Sequence, residues 1–225
     1  MLNLPTLLRI PDVEVGSGYS LSPDGSHIAF AWNKSGEWQI YELPLSSPQL
    51  PIINPPITQI SSGPGGRVAP RYSPDGKYLA WALDLDGSED FHIILHDLAT
   101  GATRDLTPDI TFTVQPFFAW SPDSRQIAYL SDKTGNFDLY LLTLDSPPLS
   151  GEGPGEGSDR LLFSPSGPAH FVRWSRDGRH IAVAAEQEWQ NDGIFIVPLD
   201  GGEVRRVGGT QNPIDANQPA FSPDS

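Results

Sequence analysis

His92 and His96, with Asp97 beside them, have the i, i+4 spacing that sets two imidazoles on one helix face as a metal pair. Their context, FHIILHDL, reads as a strand instead, along which four residues span roughly 13 Å. One ion held at about 2 Å per ligand cannot reach both. Asp84-Leu85-Asp86-Gly87-Ser88-Glu89-Asp90 offers the carboxylates of a calcium loop, yet Glu89 stands at the sixth position, where an EF-hand turn requires Gly. A solvated acidic turn is the expectation there. Aspartates recur at 24, 75, 123, 177 and 224 in one local context, which fits turn geometry better than ligation. Gly65-Gly66, Gly201-Gly202 and Gly208-Gly209 lack the Lys-Ser/Thr of a phosphate loop and are expected to be turns. Trp38 and Trp189 fit packing better than a ligand surface. With no Cys, disulfides and thiolate-held metals are excluded. The residues nominate no catalytic, cofactor-binding or metal-ligating set, and no cofactor.

The elements behind these residues are repeats. Leu21-Ser22-Pro23-Asp24-Gly25-Ser26-His27-Ile28-Ala29-Phe30 returns as Tyr72–Trp81, as Trp120–Tyr129 and as Trp174–Val183, and a fifth copy begins at Phe221-Ser222-Pro223-Asp224-Ser225. The serines at 22, 73, 121, 175 and 222 are spaced by 51, 48, 54 and 47 residues. A second motif keeps register with the first: WQIYELPL at 38–45, FHIILHDL at 91–98, FDLYLLTL at 137–144 and DGIFIVPL at 192–199. Pro presets φ at the second position of a tight turn, Asp bonds nearby backbone and Gly tolerates positive φ. Ser-Pro-Asp-Gly is therefore a hairpin turn between the first and second strands of each unit. The second motif is a third strand, and a fourth follows Ala99-Thr100-Gly101 or Asp200-Gly201-Gly202. The middle strands are nearly continuous apolar runs, as in sheets buried on both faces. Four strands in about 50 residues make a β-propeller blade. The small Ala29, Ala80, Ala128 and Ala182 predict close blade-to-blade packing, with the aromatics at 72, 120, 174 and 221 filling the wider gap beside them.

The balance of 28 acidic against 14 basic residues gives a net charge of −14, which disfavours nucleic acid and anionic membranes as partners. No apolar run approaches the 18 or so residues of a membrane-spanning helix. A start at Met1 with no cationic, apolar leader predicts a cytoplasmic protein.

No Trp-Asp dipeptide occurs, which argues against ordinary WD repeats, and Gly follows Asp directly, unlike a sialidase Asp box. The copies resemble TolB-like (WD40-like) blades, Ser-Pro-Asp-Gly-x-x-Ile-Ala-Phe followed by an Ile-Tyr strand, across about 17–225. The opening Leu7-Leu8-Arg9-Ile10-Pro11-Asp12 before the first repeat resembles the start of the propeller in the prolyl oligopeptidase family of serine peptidases, in the acylaminoacyl-peptidase-like branch. That resemblance implies a propeller that limits peptide access to an α/β-hydrolase domain. The nucleophile elbow of such a domain, Gly-x-Ser-x-Gly, is missing: no Ser here has Gly at both −2 and +2.

The expectation is an all-β partial propeller over 1–225, with blades at about 17–61, 68–107, 115–163 and 169–207 and a fifth beginning at 218–225. A chain stopping inside a hairpin turn reads as a truncated ring, an N-terminal fragment whose hydrolase domain is absent and whose isolated form is marginally stable or aggregating. In a closing ring, Thr6–Ile10 would supply an outer strand to the last blade. Residues 46–56 and 145–159 read as insertions between third and fourth strands, the latter holding 10 Gly, Pro or Ser in 15. The resemblance implies peptide substrates reached through the missing hydrolase. A non-enzymatic TolB-like propeller that binds a protein partner, or a sensor domain of another multidomain protein, is the alternative.

Overall fold

The computed structural model describes residues 12–14, 16, 18–45, 56–109, 111–144, 159–188, 191–207 and 219–222. Local order starts at the repeated turn. In all four described copies the Ser hydroxyl donates to the Asp two residues on, at 2.6 Å for Ser22–Asp24 and Ser175–Asp177 and 2.7 Å for Ser73–Asp75 and Ser121–Asp123. The same hydroxyl accepts the N–H five residues on, from His27, Tyr78, Gln126 and His180. The Asp carboxylate accepts the N–H of Ser26, Lys77, Arg125 or Arg179. The fourth turn residue lies at positive φ, as Gly in three copies and as Ser124, φ 62°, in the third. A type I turn closed by a left-handed residue gives the strands on either side the right twist for a hairpin.

Among the described residues sixteen strands follow from these turns. β1 (Tyr19–Leu21), β2 (His27–Trp32), β3 (Gln39–Pro44) and β4 (Thr58–Gln59) form one antiparallel sheet in sequence order. β5 (Gly66–Tyr72), β6 (Tyr78–Asp84), β7 (Phe91–Asp97) and β8 (Thr103–Asp105) form the second. β9 (Ala119–Trp120), β10 (Gln126–Ser131), β11 (Asp138–Thr143) and β12 (Asp159–Phe163) form the third, and β13 (Ala169–Trp174), β14 (His180–Glu188), β15 (Asn191–Pro198) and β16 (Arg205–Arg206) the fourth. No helix occurs among the described residues. The chain is all-β, four four-stranded antiparallel blades. Thr6–Ile10, residues 46–55 and 145–158, Trp189 and the Pro223–Ser225 end of the fifth copy lie outside the described residues.

One feature escaped the repeat pattern: each first strand is interrupted. Val13 pairs with Trp32 before β1 begins, and Val114 pairs with Ser131 before β9 begins. In β5 the register shifts between Val68 and Arg71, around Ala69 at φ 53°, and in β13 between Ala169 and Phe171. β5 starts at Gly66.

Two compact units divide the chain, Met1–Asp105 and Leu106–Ser225, each holding two sheets and its own core. In the first unit, Ala29, Ala31 and Ile40 of the first sheet pack against Tyr72, Leu79, Trp81, Leu83 and Ile94 of the second. In the second unit, Ala128, Leu130, Leu139 and Leu141 of the third sheet pack against Trp174, Ile181, Val183, Ala185 and Val197 of the fourth. The repeat alanine thus receives the next sheet's aromatic, and Trp174 Nε1 adds a 3.1 Å hydrogen bond to the Ala119 carbonyl. Burying an aromatic and several branched aliphatics against small residues lets two sheets approach closely, at about 1.5–3 kcal/mol per large side chain buried.

Candidate functional site

Buried polar side chains gather where third strands begin. Gln39, His92 and Asp138 occupy equivalent register positions, opposite Trp32, Leu83 and Ser131. Ser61 donates to Gln39 Oε1 at 2.8 Å and accepts the Ile40 N–H at 2.8 Å, while Gln39 Nε2 donates to the Gly63 carbonyl. His92 Nδ1 lies 2.7 Å from Asp105 Oδ2. The fully buried Asp138 accepts from the Thr134 and Ser164 hydroxyls. In the fourth sheet Gly193 takes this position. The fourth strands of the first three sheets are short, two to five residues. These side-chain latches fasten the chain beside or beyond them to the third strand, supplying polar bonds that a longer ladder would otherwise make.

Two cations are committed to the same purpose. Arg67, nearly buried, donates from one guanidinium nitrogen to the carbonyls of Gly63, Pro64 and Gly65, and burial lowers its pKa. Lys133 lies over the rings of Phe112, Tyr140 and Tyr129 at 4.2, 5.0 and 5.5 Å and pairs with Asp159. Tyr129 also donates to Asp159, and Lys133 Nζ donates to the Tyr129 oxygen at 2.9 Å. Burial and the Asp159 carboxylate push the Tyr129 phenol up, so it stays a donor at every physiological pH. Burial works against the Asp159 carboxylate, but Lys133 and Tyr129 hold it below the ordinary value.

Within the first unit a second polar group is buried. Tyr72 donates to Glu42, and burial followed by that carboxylate raises the phenol pKa. The Trp81 and His96 rings lie 5.6 Å apart, and both Trp81 Nε1 and His96 Nδ1 are buried with no hydrogen-bond partner among the described residues. Burial lowers the His96 pKa and keeps the imidazole neutral at pH 7.

The sequence-nominated residues fall as follows. His92 and His96 both lie on β7 but separate, one against Asp105 and the other against Trp81. Asp84 accepts the N–H groups of Asp86, Gly87 and Glu89, and Asp86 accepts that of Ser88, so the acidic loop is a run of side-chain-capped turns. Trp38 packs on the core of the first unit. Among the described residues no three His, Asp or Glu side chains converge to hold a metal ion. The latches and the Lys133 cluster were missed at the sequence level. The available signal was a polar residue at the second position of three third-strand motifs, with Ser61, Thr107 and Ser164 after the fourth strands.

Four antiparallel four-stranded sheets built on one Ser-x-Asp turn, with the aromatic of the second sheet in each unit set on the alanines of the first, define a β-propeller fold. The PD40 family, described as the TolB beta propeller domain, matches residues 52–151. Dipeptidyl-peptidase 5 of Porphyromonas gingivalis is 35% identical over 135 residues, covering 56% of this chain and 19% of that protein. The Tol-Pal system protein TolB of Francisella tularensis subsp. holarctica is 29% identical over 223 residues, 98% of this chain and 46% of that protein. The chain thus spans less than half the length of either relative. Among solved structures, TolB from Acinetobacter baumannii superposes with a TM-score of 0.64 at 23% identity, covering 87% of this chain and 44% of that one. A puromycin-hydrolyzing peptidase of Mycobacterium tuberculosis superposes at 0.63 and 17% identity, covering 84% and 30%. The repeats are thus similar in sequence to those of TolB and of one dipeptidyl-peptidase.

Proposed function

We propose that the chain is the non-catalytic propeller segment of a serine peptidase resembling the prolyl oligopeptidase family. In this reading it gates the passage of short peptide substrates to an α/β-hydrolase domain outside the chain. The observation that carries the reading is the 35% identity to dipeptidyl-peptidase 5. The missing Gly-x-Ser-x-Gly is consistent with it, because the nucleophile would lie in the other domain. A second reading, a TolB-like propeller that binds a protein partner without catalysis, draws on the TolB alignment, which runs along 98% of the chain.

The test is to read the coding DNA beyond Ser225 and express the whole reading frame. The expected product reacts with a fluorophosphonate probe and hydrolyses an aminoacyl or dipeptidyl chromogenic substrate, while the 225-residue chain alone does neither. A frame that ends after a few more blades, without a hydrolase sequence, overturns the peptidase reading in favour of the TolB-like one.

A further inference from the structure

The sequence holds six Asp-Gly pairs, at 24–25, 75–76, 86–87, 177–178, 192–193 and 200–201. This dipeptide is open to an uncatalysed reaction, because Gly has no side chain to hinder its amide nitrogen as it closes onto the Asp carboxyl carbon. The N–C bond that forms replaces the bond to one carboxyl oxygen. That oxygen leaves as water, carrying the carboxyl proton and the amide proton. Water then reopens the five-membered imide at either carbonyl. One opening restores Asp, and the other gives isoaspartate, whose main chain runs through the former side-chain carboxyl. Nothing is oxidised or reduced, and water is the only co-reactant.

The fold treats the six nitrogens differently. In the repeated turns Gly25, Gly76 and Gly178 donate to the carbonyls of Ser22, Ser73 and Ser175 at 2.8, 2.9 and 3.1 Å. Those serines also donate to Asp24, Asp75 and Asp177, which favours the ionised carboxylate over the acid that loses water. Gly87 donates to the Asp84 carboxylate at 2.8 Å. Gly193 lies inside β15, opposite Ala185, and Asp192 faces His170 at 3.3 Å. Gly201 alone is different: it is exposed, with nothing within 4 Å of where a Cβ would stand, and its N–H makes no hydrogen bond among the described residues. Asp200, exposed as well, accepts the Gly202 N–H at 3.0 Å, a side-chain turn that sets its carboxyl carbon beside the Gly201 nitrogen. Asp24, Asp75, Asp86 and Asp177 make the same bond, so the free N–H is what sets Asp200-Gly201 apart. Leu199 donates to Arg179 as Leu98 does to Lys77, so this turn matches Leu98–Gly101 of the second sheet, where Ala99, Thr100 and Gly101 are exposed too. The openness belongs to the turn position and not to the fourth sheet's place in the chain.

We propose that Asp200-Gly201 is the site at which the folded chain forms a succinimide and accumulates isoaspartate. The other five pairs carry the same two residues, and the fold holds them back by engaging the attacking nitrogen or by keeping it inside a strand. The modification adds an atom to the main chain in the turn between β15 and β16 and leaves an α-carboxylate free at its surface.

The test ages the folded 225-residue chain at neutral pH in water labelled with heavy oxygen, which each opening of an imide writes into the residue, and maps the label by fragment-ion mass spectrometry. Asp200 is expected to take up label about tenfold or more faster than Asp24, Asp75, Asp86, Asp177 and Asp192, because an engaged N–H is free only when its segment opens locally. In urea the six rates are expected to converge, since the dipeptide is then the same everywhere. The aged folded chain is also expected to accept methyl groups from S-adenosylmethionine through an isoaspartyl O-methyltransferase. Asp200→Glu, which would have to close a less favoured six-membered imide, is expected to lose most of that acceptance. If circular dichroism shows the 225-residue chain unfolded, the product of the whole reading frame is aged and mapped in its place. Label that reaches any of the other five aspartates as fast as Asp200 in the folded protein overturns the proposal. So does a ranking that survives in urea, which would make it a property of the local sequence, and so does an aged Asp200→Glu variant that accepts as many methyl groups as the wild type.

Discussion

Aspartates 24, 75, 123 and 177 hold one geometry four times, each accepting from a Ser hydroxyl and from a backbone N–H two residues on. Hydrogen bonds to the charged form favour it, so all four pKa values are lowered, Asp24 from 3.8 to about 2, chiefly through Ser22. At Asp75 burial opposes the shift, and Ser73 with Lys77 outweighs it. A carboxylate stabilised only in the folded chain favours folding above the unfolded value of 3.8. That contribution is lost as pH falls through the folded value. The urea midpoint is therefore expected to hold level above about pH 5 as far as these groups are concerned, then to drop between about pH 4 and about pH 2. Ser22→Ala is expected to shrink the Asp24 share of that drop. A midpoint unchanged from pH 4 to pH 2 would remove the turn carboxylates from the account of stability.

Among the elements, the entries into β5 and β13 are the tightest points. A Cβ on Gly65 would lie 2.4 Å from the Asp84 carbonyl oxygen, and one on Gly167 would lie 2.2 Å from that of Glu186. Both glycines let the chain cross the end of a second strand at backbone distance. Gly167→Ala is expected to cost about 2–3 kcal/mol, the upper part of the ordinary range for point mutations. Gly201→Ala, at φ 82° with nothing within 4 Å, should cost only the left-handed penalty of about 1–2 kcal/mol. Ser124→Gly relieves the same penalty in the third turn and should not lower stability. Urea unfolding of the three variants checks the order, and equal losses for Gly167→Ala and Gly201→Ala would contradict the close-approach argument. The strands themselves were legible in the sequence, because Ser-Pro-Asp-Gly and the Ile-Ala-aromatic run fix turn and face locally. The first-strand interruptions were not, because Ala69 at positive φ gives no sign in its side chain. Nor were the latches legible. Gln39 and Ser61 stand 22 residues apart, Asp138 and Ser164 stand 26 apart, and each blade uses a different polar pair.

At the scale of the whole molecule the dominant electrostatic fact is a net charge of −14. Like charges repel more in the compact chain than in the expanded one, and salt screens that repulsion over about 10 Å at 0.1 M. The melting temperature is therefore expected to rise as NaCl is added at neutral pH. A fall would show that the Lys133–Asp159 and Lys77–Asp75 pairs outweigh the general repulsion. The packing of sheet on sheet carries a consequence for descent. In both units the second sheet sets its aromatic on the alanines of the first, so duplicating one stretch of about 50 codons copies both halves of that contact. Deleting such a stretch rejoins two surfaces that also fit. A gene of this kind can change its number of repeats by slippage or unequal recombination without first inventing a new interface.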